Sequence, residues 1–137
     1  MLVVDASVLV VALADDGPDG DLARTHLRGQ DLAAPELVDL EVASVLRKQI
    51  LLGALDLRRA QLALSDLADL PMQRARHLPL LPRCWELRPN VTVYDAAYVA
   101  LAEALQATLL TADARVARAT GPRCPIELLR LPGVVGA

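Results

Sequence analysis

Short apolar runs alternate along the chain with longer stretches whose apolar residues recur at helical spacing. Leu2–Val4 is a branched run ending at Asp5, and Ser7 stands where it can cap a helix over 8–14. Asp15, Asp16, Gly17 and Pro18 spell a turn. The pattern then predicts a helix over 19–28 and a short strand over 31–33. A long helix follows, opened by Pro35 and stopped at Gly53, then another over 56–70 with Asp56 as cap and Pro71 as stop. Residues 72–77 read as a strand. The stretch 78–88, with Cys84 and Trp85 on an apolar face, fits no single element and ends at the Pro89-Asn90 break. Thr92 is placed to cap a helix over 93–105. After it, 107–111 reads as a strand, 113–119 as a short helix and 126–129 as a last strand. This rhythm predicts an α/β domain with a parallel sheet. The runs at 2–4 and 108–111 lack polar alternation, as strands covered on both faces do.

Composition narrows the function classes. The 137 residues suit one domain, and 54% hydrophobic with 23% charged residues excludes a disordered chain. The apolar share is slightly high, which points to surface left over for a protein partner. Trp85, Tyr94 and Tyr98 are the whole aromatic complement, too few for a base-stacking platform. The net charge of −3 argues against bulk attraction to a polyanion. The charge is uneven, however: residues 1–69 hold 12 acids and 6 bases, residues 70–137 hold 5 acids and 8 bases. Thirteen of the 14 bases are Arg, the side chain suited to bidentate phosphate contact. Cys84 and Cys124 make neither a metal motif nor a disulfide framework. The apolar opening lacks a preceding base and is interrupted by Asp5, so it does not read as a leader. It is also far short of the ~18 residues that span a bilayer. A cytoplasmic protein without membrane contact is expected.

Four acids stand in unusual places. Asp5 follows a buried-type strand and precedes a helix, the edge of a parallel sheet where ligands bind. Asp113 repeats that placement after 108–111. A helix cap explains each equally well, but two strands delivering an Asp to one edge say more than either alone. Asp95 falls in the first turn of an apolar helix, and Glu41 within the apolar stripe of the long helix, flanked by Leu37, Val38, Ser44 and Val45. Glu41 can snorkel outward or point inward to a cation. If the four converge, they repel, and some hold protons at neutral pH. A hard divalent cation, Mg2+ or Mn2+, removes the conflict. It takes oxygen ligands, activates a water and stabilises charge on a phosphoryl oxygen. Ser7 and Thr111, two residues from Asp5 and Asp113, can orient ligands from behind or simply bond their own backbone. Arg115 and Arg118 are candidate contacts for nucleic-acid phosphates.

The segments VVDASVLV, APELVDLEVASVLRK, VTVYDAAYVALAEAL and TLLTADARVARA, in this order, resemble the PIN domain. The likeness is specifically to the toxin nuclease of bacterial VapBC toxin–antitoxin pairs, and it runs from residue 2 to about 129. The resemblance implies a three-layer α/β/α sandwich with a central, mostly parallel sheet over 1–130, followed by a flexible tail at 131–137. It implies a catalytic and metal-holding quartet of Asp5, Glu41, Asp95 and Asp113. The activity implied is Mg2+- or Mn2+-dependent endoribonuclease cleavage of RNA by metal-activated water. A small VapB-like antitoxin that obstructs the site and a homodimer are the implied partners. Where some members carry another acid shortly after the last Asp, this chain has Arg115 and Val116. Two other readings remain at this point. One is an inactive PIN-like interaction scaffold. The other is a haloacid-dehalogenase-type phosphatase, which wants a second Asp where Ser7 stands.

Overall fold

In the computed structural model, which describes residues 1–133, the chain runs β1 (Leu2–Val4), α1 (Ala6–Ala14), α2 (Pro18–Leu27), β2 (Leu32–Pro35), α3 (Val38–Leu51), α4 (Leu57–Asp69) and β3 (Met72–Ala75). A 3-10 turn, Leu78–Leu80, leads into α5 (Leu81–Glu86). Then come α6 (Val93–Leu105), β4 (Thr108–Thr111), α7 (Ala114–Ala117) and β5 (Ile126–Leu128). The five strands lie in the order β3-β2-β1-β4-β5, and every pairing is parallel. This is the α/β sandwich the sequence implied, with β1 at the centre of the sheet. Val3, Val4, Leu109 and Leu110 are essentially sealed from solvent, as strands covered on both faces must be.

Helix α6 lies across β2, β1 and β4, while α1 gathers α2, α3 and α4 around it. Every residue of α6 from Ala96 to Ala102 is buried, and the many Ala let the helix approach the sheet closely. Arg83 ties α5 to the far end of α6 through a two-point pair with Glu103, at 2.7 and 3.1 Å.

Three local expectations change. The cap of α1 is Asp5, not Ser7: its side chain accepts from the Ser7 and Val8 amides, so the helix starts two residues early. Pro35 does not open the long helix. It closes β2 opposite Ala75, and α3 begins at Val38, because the β2–β3 ladder continues through Pro35 and on to the Glu36 amide, which donates to the Ala75 carbonyl. The stretch 78–88 is helical, with Cys84 inside but Trp85 60% exposed under the Arg88 guanidinium. Thr92 caps α6 and Asp56 caps α4 as the pattern predicts. Of the expected tail, 131–133 lie within the described residues, where the Gly133 amide donates to Asp19; 134–137 lie outside them. The apolar surplus is visible as exposed Leu40, Leu51, Leu52 and Leu78 beside Trp85. Among the described residues, no helix is long and apolar enough to cross a membrane.

Candidate active site

The carboxyl edge of the sheet is where the acids gather. β1 ends at Val4 and its ladder runs one residue further, with the Asp5 amide donating to the Leu110 carbonyl. Asp5 is only 8% exposed. Its Oδ1 accepts from the Ser7 amide at 3.1 Å, the Val8 amide at 3.4 Å and the Ser7 hydroxyl; its Oδ2 accepts from the Thr111 hydroxyl. Both hydroxyls also accept: Ser7 Oγ from the Ala112 amide at 2.9 Å and Thr111 Oγ1 from the Asp113 amide at 3.0 Å. A chain of bonds thus joins the Asp5 corner to the loop that carries Asp113. Burial pushes the Asp5 carboxyl up to about 6, and the charge of Asp95 adds to the push, although all the hydrogen bonds pull the other way.

Glu41 sits in the first turn of α3, half-buried. Its partner is not a cation. The Tyr98 hydroxyl, from the middle of α6, donates to Glu41 Oε1. Burial raises the Glu41 carboxyl and the charge of Asp95 raises it again, against the Tyr98 bond. Tyr98 itself is 2% exposed, and burial together with the acids around it pushes its phenol far above the ordinary range, so it stays a donor. Asp95 occupies the first turn of α6. Burial raises its carboxyl, and so does the charge of Asp113, while the Thr92 hydroxyl and Arg115 oppose. Burial works upward on Asp113 too, but Arg115 outweighs it and holds that carboxyl below its ordinary value. Asp113 is also the cap of the short helix α7.

Asp95 is therefore the electrostatic hub, since Asp5, Glu41 and Asp113 are each coupled to it. Asp5, Glu41 and Asp113 each lie within reach of Asp95, and the structure places Ser7 and Thr111 on Asp5. Arg115 faces Asp113. Arg118 is exposed and makes no ion pair among the described residues. The residue that sequence reasoning passed over is Tyr98; its signal was a hydroxyl three positions after Asp95, within the apolar run of that helix.

The donors are all oxygens and three of the four carboxyls have no basic partner, which fits a hard divalent cation. Among the described residues, no group of three or more His, Cys, Asp or Glu encloses a common point, and no buried side-chain nitrogen or oxygen is left without a partner. The arrangement fits an ion that keeps most of its waters and takes few protein oxygens, as Mg2+ does, rather than one locked in an all-protein cage.

Comparison with known proteins gives a consistent result. Residues 2–122 match the PIN domain. Ribonuclease VapC1 of Mycobacterium tuberculosis is 44% identical over 129 residues, covering 93% of this chain and 97% of that protein. Ribonuclease VapC9 of the same organism is 43% identical over 132 residues, covering 94% and 98%. Among solved structures, VapBC2 from Rickettsia felis, bound to a DNA fragment from its promoter, superposes with a TM-score of 0.67 over 93% of this chain and 97% of that one. At 16% identity this likeness bears on the fold alone.

Proposed function

We propose, for a chain that belongs to the PIN domain family and within it to the VapC ribonucleases, that it is the toxin of a toxin–antitoxin pair and hydrolyses RNA phosphodiesters with Mg2+ or Mn2+ at the Asp5, Glu41, Asp95 and Asp113 site. The observation that carries this reading is the placement of Asp5 and Asp113 at the ends of the paired strands β1 and β4, with Asp95 near enough to raise Asp5 and Glu41 and to be raised by Asp113. An unpaired carboxylate cluster of this kind destabilises a protein that does not use it.

When bound, the ion supplies Lewis acidity, which makes water a nucleophile at neutral pH and offsets charge on the phosphoryl group. The protein does the rest. Asp5, Glu41, Asp95 and Asp113 would hold the ion, in part through the waters it keeps. Ser7 and Thr111 fix both oxygens of Asp5, leaving it one orientation. Tyr98 holds one oxygen of Glu41 and keeps its own proton throughout. Arg115 and Arg118 carry positive charge to the carboxyl edge, where RNA phosphates approach. The exposed apolar residues Leu40, Leu51, Leu52 and Trp85 support association, with a second copy of the chain and with a small VapB-like antitoxin that silences the site. The place of action is the cytoplasm, where such a partner and RNA meet.

The phosphatase reading has no support here. Ser7 stands where a second Asp is required. The scaffold reading and the nuclease reading part in one experiment: cleavage of RNA by the purified, partner-free protein with Mg2+, with Mn2+ and with EDTA. Wild type is expected to cleave with either metal and not with EDTA; Asp5→Ala and Asp95→Ala, still folded by circular dichroism, are expected to be inactive. Equal cleavage by both variants, or none by wild type, refutes the nuclease.

A further inference from the structure

We propose that Arg115 competes with the divalent ion for Asp113, so that the free protein keeps this corner of its site neutralised by its own guanidinium. The proposal rests on the nuclease reading above and deepens it. Asp5 and Glu41 are held by neutral donors, the hydroxyls of Ser7, Thr111 and Tyr98, which leave the negative charge in place. Asp113 is held differently. Arg115 Nε lies 3.3 Å from its Oδ1 and Nη2 lies 3.1 Å from its Oδ2, while the Arg115 amide donates to Oδ1 at 2.9 Å. The guanidinium thus covers both oxygens of the carboxylate, the same pair of atoms a cation takes. Its charge also reaches Asp95, the hub.

The contact is easily exchanged. The Arg115 side chain is 85% exposed, and all its hydrogen bonds among the described residues go to Asp113. An exposed pair of this kind is weak, so it tunes the affinity for an ion instead of blocking it. Once displaced, the planar fork of Arg115 matches a phosphate as well as it matched the carboxylate. Ion entry would therefore release a phosphate-binding group beside the ion.

The test is calorimetric titration of the full chain with MnCl2 in the absence of RNA, so that no step depends on turnover. Wild type, Arg115→Ala, Arg118→Ala, Asp113→Asn and the Arg115→Ala/Asp113→Asn double variant are compared. Removing Arg115 is expected to tighten Mn2+ binding by about threefold to fivefold, the scale of an exposed ion pair. Arg118→Ala removes the same charge from the residue just after the same short helix and is expected to change affinity by less than about 1.5-fold, since it pairs with none of the four acids. In the Asp113→Asn background the gain from removing Arg115 is expected to vanish. An unchanged affinity in Arg115→Ala, an equal gain in Arg118→Ala, or a gain that survives Asp113→Asn overturns the proposal. Wild type that binds Mn2+, with Asp5→Asn losing it, leaves the nuclease reading standing whatever Arg115 does. If no such binding is found, that reading falls and this proposal with it.

Discussion

Asp5→Asn should make the metal-free protein more stable at pH 8 while removing its activity. The wild-type carboxyl titrates near 6 in the folded protein, against 3.8 for an ordinary Asp, because it is buried. The folded state thus binds this proton more readily than the unfolded chain does. Below pH 3.8 both states are protonated and Asp5 costs nothing. Between pH 3.8 and 6 the unfolded chain ionises while the folded protein still holds the proton, so stability falls by about 3 kcal/mol over that range and stays low once the buried group has ionised above 6. Asn carries no charge and escapes this loss. Its carbonyl oxygen can keep the Ser7 and Val8 donors. Its amide nitrogen meets the Thr111 hydroxyl, which must turn from donor to acceptor at a cost of about 1 kcal/mol. The net gain at pH 8 is about 2 kcal/mol, or roughly 6–10 °C in Tm for a domain of this size. Urea unfolding in EDTA, followed by circular dichroism from pH 4 to pH 8, gives two curves. They should cross, with the variant the less stable below about pH 4.5 and the more stable above pH 6. Adding MnCl2 at pH 8 should stabilise wild type and leave the variant unmoved. Parallel curves, or a wild type that is the more stable at pH 8 in EDTA, refute the claim that Asp5 is a buried charge held against its own preference.

Three further substitutions separate the parts of the site from its frame. Thr111→Val removes the donor to Asp5 Oδ2 and the acceptor of the Asp113 amide. It should cost about 1–2 kcal/mol at neutral pH in urea unfolding and move the fall in stability to a pH above 6. Tyr98→Phe leaves Glu41 without its donor; cleavage at saturating Mn2+ should drop about tenfold for a stability cost near 1 kcal/mol, and full cleavage would remove Tyr98 from the site. Arg83→Ala breaks the two-point pair with Glu103 far from the acids, so about 1–3 kcal/mol of stability should be lost with cleavage unchanged wherever the protein is folded.

Much of this architecture was legible because the signals were local. Thr92 three residues before Asp95, and Asp56 three before Arg59, write their helix starts into the chain. The runs at 2–4 and 109–111, which lack polar alternation, announce strands that lie side by side at the centre of the sheet. Pro35 misled because its local fitness for a first helical turn was overruled by pairing with Ala75, a contact that only the folded chain supplies. Trp85 misled for a similar reason. On a helix this short, Cys84 and Leu87 fill the inner face and the larger side chain is left outside with Arg88 stacked on it. The Tyr98–Glu41 bond joins α6 to α3 across the sheet edge. No spacing in the chain encodes it, so an acid in an apolar stripe was visible and its partner was not.

Capping and catalysis need not compete as explanations for Asp5 and Asp113, and Asp56 shows where the line between them falls. All three acids accept from backbone amides at the start of a helix. Asp56 does nothing more; it bonds the Arg59 amide at 2.7 Å at an exposed helix start, as an ordinary cap does. Asp5 caps α1 with one oxygen, yet it is buried, and its other oxygen is claimed by a hydroxyl from β4. A cap needs neither burial nor a second anchor on another strand, and burial makes the charged form costly. What marks Asp5 out from an ordinary cap is therefore the surplus: interactions that fix the carboxylate beyond the needs of the helix, in a place where its charge is a liability until something positive arrives.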